Sequence, residues 1–158
     1  MMGRNHKGAL LVMTDRAGLH TSLYKLKNRN SDLVSKAIIK KLYKKSYPLH
    51  TITFDNDKGF ADHMTVANTL NVGTYFTRPY NSQDKGTVEN RIGQLRRFFP
   101  KKTDLSIVTD EQVKRVERLL NNRPVSKFNF KPPNQVLLKK NCTYYLNLEN
   151  ITSNEKNN

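Results

Sequence analysis

Two carboxylates could do chemistry in this chain, Asp55 and Glu89, because hard acidic oxygens set in basic sequence are the groups that gather divalent cations. Asp55 ends a short β-prone segment, Thr51-Ile52-Thr53-Phe54, and precedes the turn-forming run Asn56-Asp57-Lys58-Gly59. At the end of a strand an aspartate either faces the sheet rim or holds the turn as an Asx residue, and local sequence allows both. Glu89 falls in the first turn of a helix predicted to start at Thr87, where an acid stabilises the positive helix end by about 0.3–1 kcal/mol. It is also the only Glu between residues 1 and 110, in a strongly basic stretch. That setting favours a functional carboxylate. Mg²⁺ takes only one or two carboxylates from protein and the rest of its ligands from water and phosphate. Two such ions about 3.5–4 Å apart activate a water or a 3′-hydroxyl and stabilise the leaving oxygen of a phosphodiester.

The elements that must position these acids read in order as strand, strand, helix, strand, helix, strand, helix, helix. Gly8–Thr14 is apolar enough to be a buried strand, and after the turn signal Asp15-Arg16-Ala17-Gly18 the run Leu19–Leu26 completes a hairpin. Asn30 or Ser31 caps a helix carrying Leu33, Val34, Ala37, Ile38 and Leu42 at helical spacing, ending near Lys45 before Pro48. Asp62 is placed to cap a helix through Leu70, and Val72–Phe76 reads as the next strand. A polar loop, Pro79–Gly86, leads to the Thr87 helix, with Ile92, Leu95 and Phe99 on one face and Pro100 closing it. Thr109 with Gln112 fits a capping box, and Pro133 suits the first turn of a last short helix. A hairpin followed by β–α alternation predicts an α/β fold, a mixed sheet with helices on its faces. Ligands in such sheets sit at the carboxyl ends of strands, directly after Phe54 and Phe76.

Composition narrows the partner. With 28 Lys+Arg against 13 Asp+Glu the formal net charge is +15, and the calculated pI is about 10.0. Phosphate neutralisation by such a surface releases condensed counterions, which makes a polyanion the natural partner. The cations cluster, with Lys25, Lys27, Arg29, Lys36, Lys40, Lys41, Lys44 and Lys45 early and Arg91, Arg96, Arg97, Lys101 and Lys102 past the middle. The lone Cys142 excludes an internal disulfide framework and a Cys₄ zinc site. No apolar run approaches the roughly 20 residues of a membrane span, and no secretory signal opens the chain. With no Trp, a sugar groove for two-carboxylate glycoside hydrolysis is a poor fit. These features predict a soluble intracellular, cytoplasmic protein with an anionic partner.

Four ordered blocks carry a family resemblance: Thr53-Phe54-Asp55-Asn56, Phe76-Thr77-Arg78-Pro79-Tyr80, Asp84-Lys85-Gly86-Thr87-Val88-Glu89-Asn90 and Leu120-Asn121-Asn122-Arg123-Pro124. Together they resemble the catalytic domain of DDE transposases of the insertion-sequence-thirty family, within the retroviral-integrase superfamily. Thirty-three residues separate Asp55 from Glu89, the separation that family uses. The likeness runs from about Gly3 to Leu138. It implies a ribonuclease-H-like mixed sheet flanked by helices and a Mg²⁺- or Mn²⁺-dependent cutting and strand transfer at insertion-sequence ends, with two ions in an intact relative. It also implies that Asp55 is the second and Glu89 the third metal-binding carboxylate, that insertion-sequence ends and target DNA are the partners, that the active form is a homo-oligomer, and that the protein is nucleoid-associated.

The chain departs from the family where Asp55-Asn56-Asp57-Lys58-Gly59-Phe60 replaces Asp-Asn-Gly-x-Glu-Phe, and where Glu89-Asn90-Arg91-Ile92-Gly93 replaces Glu-Asn-x-Asn-Gly. The family's first aspartate falls about two positions ahead of Met1, so the first, central strand is expected to be largely truncated. Asp15, better read as a turn residue or an Arg partner, and Asp57 are weak substitutes, and His63 is better read as a helix-surface residue. An open sheet centre would leave backbone groups unpaired at about 1–3 kcal/mol each, against a total stability of about 5–15 kcal/mol. The expectation is therefore an impaired enzyme whose nicking returns when the upstream segment is restored, or else a non-catalytic basic nucleic-acid-binding remnant. The core is expected over residues 1–140 and a polar tail over 141–158. Lys85, Arg91, Arg96 and Arg97 are expected to hold DNA phosphates, which positions a duplex without reading its bases.

Overall fold

A computed structural model describes residues 8–43, 49–78, 86–101, 103–137 and 142–149, the last of these as backbone. The strands are β1 (Ala9–Asp15), β2 (Thr21–Leu26), β3 (Leu49–Phe54), β4 (Gly73–Phe76) and β5 (Cys142–Glu149). The helices are α1 (Ser31–Leu42), α2 (His63–Leu70), α3 (Gly86–Leu95), α4 (Asp110–Asn122) and α5 (Pro133–Leu137). The described strands form one mixed sheet in the order β2-β1-β5-β3-β4. β1 runs antiparallel to β2 and β5, while β3 runs parallel to β4 and β5. This is the α/β, ribonuclease-H-like arrangement anticipated from the sequence.

The local signals act as expected. Asn30 caps α1 by accepting from Asp32 N–H at 2.9 Å, and Thr109 and Gln112 form a reciprocal capping box on α4. Asp62 precedes α2, but its carboxylate accepts from Ser35 Oγ at 2.6 Å and Thr65 Oγ1 at 2.5 Å instead of from the helix backbone. The Ser35 hydroxyl, then Thr65, hold its pKa below the ordinary aspartate value.

Strand alternation builds a core on each face. Ala9, Leu11 and Met13 of β1 join Ile52 and Phe54 of β3 under Val34, Ala37 and Ile38 of α1 and Val66 of α2. Leu10 and Val12 point the other way, to Leu95 of α3, Phe99 beyond its end, and Val113, Val116 and Leu120 of α4. Asn121 fastens the second layer: Thr21 N–H donates to Oδ1 at 2.8 Å and Nδ2 donates to the Thr21 carbonyl at 2.7 Å.

The centre of the sheet departs from expectation. β5 holds the middle position, pairing Leu10–Asp15 on one side and Leu49–Phe54 on the other. Residues 142–149 thus continue the core, although they read from the sequence as the start of a polar tail. The reason is physical: β1 and β3 each present a ladder edge at the sheet centre, and a segment alternating Tyr144, Leu146 and Leu148 with polar residues has the period of a strand that pairs with both. The expected open centre is absent from the described structure.

Candidate active site

Asp55 follows β3 directly, at the carboxyl end of the parallel part of the sheet. Asn56 N–H donates to its Oδ1 at 3.0 Å and Thr77 Oγ1 donates to the same oxygen at 3.3 Å. Asn56 Nδ2 donates in turn to the Thr77 carbonyl at 2.7 Å, and Thr77 N–H to the Phe54 carbonyl at 2.9 Å. Thr77 is buried, so the ends of β3 and β4 are locked together around the carboxylate. The bonded N–H belongs to the next residue and not to the second one on that an Asx turn uses, and Asp55 stands at the sheet rim.

Ile52 and Phe54 face α1 and α2, so period-two alternation sets Thr53, the residue two before Asp55, on the opposite face, where α3 packs against β1 and β5. Glu89 lies in the first turn of α3 and is exposed. Val88, Ile92 and Leu95 anchor that helix, which leaves Glu89 on its outer side. Arg96, seven residues on, returns to nearly the same angle on the helix, and its N–H donates to the Ile92 carbonyl at 2.9 Å. Arg97 is exposed. Arg91 differs: it is 4% exposed and lies about 200° around the helix from Glu89. Lys85 lies outside the described residues.

The other acids are engaged structurally. Asp15 is fully buried and closes the β1–β2 turn, accepting from Gly18 N–H at 2.6 Å and Ala17 N–H at 3.3 Å. Asp57 pairs with the Arg29 guanidinium and accepts from Gly59 N–H at 2.7 Å. His63 packs its ring edge-on against Phe76, with centroids 4.9 Å apart. Among the described residues no group of three or more His, Cys, Asp or Glu side chains forms a metal cluster. Asp55 on the sheet rim and Glu89 on α3 are carboxylates, the ligand type that Mg²⁺ and Mn²⁺ take. Sequence reasoning passed over Thr77 as a functional residue. Its signal was the Phe76-Thr77-Arg78 block, whose hydroxyl falls opposite Asp55 once β3 and β4 pair.

The chain is 40% identical over 135 residues to the transposase for insertion sequence element IS4351 of Bacteroides fragilis, covering 85% of this chain and 41% of that protein. It is 31% identical to the IS1086 transposase of Cupriavidus metallidurans, over 85% of this chain and 40% of the relative. To transposase InsI for IS30A of Escherichia coli K12 it is 30% identical, over 81% of this chain and 34% of the relative. The chain therefore spans well under half the length of these curated relatives. The catalytic core of BIV integrase superposes with a TM-score of 0.61 at 16% identity, over 83% of this chain and 86% of that one. A chain of the simian T-cell lymphotropic virus intasome in complex with PP2A regulatory subunit B56 gamma superposes at 0.65 and 20% identity, over 80% of this chain and 46% of that one. No family model matches.

The fold is that of the integrase catalytic cores. In sequence the chain is similar to insertion-sequence transposases, that of IS30A among them, and in fold to integrase catalytic cores. No helix among the described residues is long and apolar enough to cross a membrane.

Proposed function

We propose that this chain acts on DNA by metal-dependent phosphodiester cleavage and strand transfer at insertion-sequence ends, with Asp55 and Glu89 holding the divalent ions. The observation that carries the reading is the placement of Asp55, tied by Thr77 and Asn56 to the carboxyl end of β3, in a chain related to transposases. Mg²⁺ or Mn²⁺, when bound, supplies an activated water or 3′-hydroxyl and a counter-charge for the leaving oxygen. Asp55 and Glu89 are the residues that would hold the ions. Arg96 and Arg97, at and beyond the end of α3, hold backbone phosphates and position the duplex. The active form is a homo-oligomer in the cytoplasm, at the nucleoid.

The test is nicking of supercoiled plasmid in Mg²⁺ or Mn²⁺, with Asp55→Asn and Glu89→Gln as controls. Metal-dependent nicking that both substitutions abolish supports the reading; nicking that survives both overturns the assignment. A second reading, a basic DNA-binding protein without chemistry, is favoured by the net charge of +15. It is selected if the chain binds duplex DNA and nicks none.

A further inference from the structure

We propose that a cleft between α3 and the segment after α4 is a binding site for a single phosphate group, with Arg91 at its floor and Arg123 at its rim. The cleft has a volume of about 420 Å³, and Thr87, Asn90, Arg91, Arg123, Ser126 and Lys127 supply its polar wall. Arg91 is 4% exposed, and its Nη1 donates to Gln94 Oε1 at 3.0 Å. Its Nη2 is buried and has no hydrogen-bond partner among the described residues. A buried guanidinium N–H left unbonded is costly, and an acceptor entering the cleft would satisfy it.

The charges point to what that acceptor is. None of the ion pairs formed among the described residues includes Arg91, Arg123 or Lys127. Burial, and then repulsion from Arg123, push the Arg91 guanidinium below its ordinary pKa. Two arginines drawn together without an acid are stabilised by an anion between them, and the planar forked donors of arginine match phosphate oxygens. Thr87 and Ser126 hydroxyls and the Asn90 amide add neutral donors of the kind that complete a phosphate cradle. Because Arg91 lies about 200° around α3 from Glu89, the cleft is a different site from the carboxylates.

The phosphate comes either from a DNA backbone or from free phosphate in solution. The DNA source rests on the transposase reading; the site itself does not. The probe is inorganic phosphate, with chloride at matched ionic strength as reference. About 20 mM phosphate is expected to raise the melting temperature of the wild-type chain by about 4 °C over chloride. Arg91→Met keeps the stem and removes the buried charge, and Arg123→Gln changes an exposed residue, so the second keeps the test open if the first fails to fold. Both are expected to lose the phosphate response, while Lys114→Gln on exposed α4 surface keeps it.

A duplex-binding titration then separates the sources. If Arg123→Gln also weakens DNA binding about tenfold and lowers the salt slope by about 1, the phosphate is that of the backbone. If DNA binding is unchanged while the phosphate response is lost, the cleft takes free phosphate. A wild-type chain that does not respond to phosphate, or variants that respond as the wild type does, overturn the site. Glu89→Gln keeps the phosphate response under this proposal, so loss of the metal-site reading and loss of the cleft are told apart.

Discussion

Thr77 donates its hydroxyl to Asp55 Oδ1 at 3.3 Å, joining the residue that follows β4 to the residue that follows β3. The bond is held from the other side, because Asn56 Nδ2 donates to the Thr77 carbonyl at 2.7 Å. A carboxylate fixed by a neighbouring hydroxyl presents its oxygens to a cation without first losing rotamer freedom. Outer partners of this kind are worth about 10–100-fold in metal affinity. Thr77→Val keeps the branched shape and removes the hydroxyl. It is expected to weaken Mn²⁺ binding, read by calorimetry, by about tenfold while the far-UV spectrum stays that of the wild type. Unchanged Mn²⁺ affinity would make Thr77 a strand-end clasp only.

Asn121 carries two of the hydrogen bonds that hold β2 to α4, and Thr21 is fully buried. Asn121→Ala strands a buried backbone N–H and C=O at about 1–3 kcal/mol each. The urea unfolding free energy should fall by about 2–4 kcal/mol, a large share of a domain's stability of about 5–15 kcal/mol. The same block contributes Arg123 to the phosphate cleft, so Asn121 and Arg123 separate by phenotype: the first lowers stability in every buffer, the second removes only the phosphate response.

Asp62 gives a pH signature. Its carboxylate accepts from Ser35 and Thr65, which lower its pKa below that of the unfolded chain. The folded state therefore favours the ionised form. The resulting stability is complete above the unfolded aspartate value of about 3.9 and is lost as pH falls through the lower folded value. Urea midpoints measured from pH 6 to pH 2 should show this fall in the wild type. Asp62→Asn should remove that component and flatten the acid limb.

What the sequence carried legibly was short-range. Asn30 as a helix cap, the Thr109–Gln112 capping box, Pro133 in a first turn and Asp15 in the hairpin turn each rest on residues within a few positions of one another. Asp55 and Glu89 were legible as chemical groups, while the face of the sheet on which each falls follows only once the strand order is known. The centre of the sheet was not legible, because β5 pairs with strands more than 80 positions away and its alternation sits beside polar residues. Arg91 was read as part of an exposed basic face along with Arg96 and Arg97. Its burial depends on the segment after Asn122 folding back against α3, which helical periodicity does not encode.

The central strand makes a backbone prediction. Leu146 pairs with Met13 on one side and with Phe54 on the other. Proline there removes an N–H from the middle of the ladder and fixes a φ that suits sheet edges rather than centres. Leu146→Pro is expected to abolish cooperative urea unfolding, and Glu155→Pro, beyond β5, to leave it intact. A cooperative transition in Leu146→Pro would move residues 142–149 back to a dispensable tail.

Arg96 and Arg97 complete the set, because their placement relative to Glu89 decides whether the basic end of α3 belongs to the DNA path. Arg96 returns to the angle of Glu89 and Arg97 is exposed beside it, so under the proposed function a duplex reaching Glu89 would pass both. Each phosphate contact contributes about 0.9 to the slope of log affinity against log salt. Arg96→Gln with Arg97→Gln should therefore weaken binding to every duplex sequence alike and flatten that slope by about 2. Fluorescence anisotropy from 50 to 300 mM salt reads both quantities. A loss confined to one sequence would assign these arginines to base reading, and an unchanged slope would route the duplex along another face.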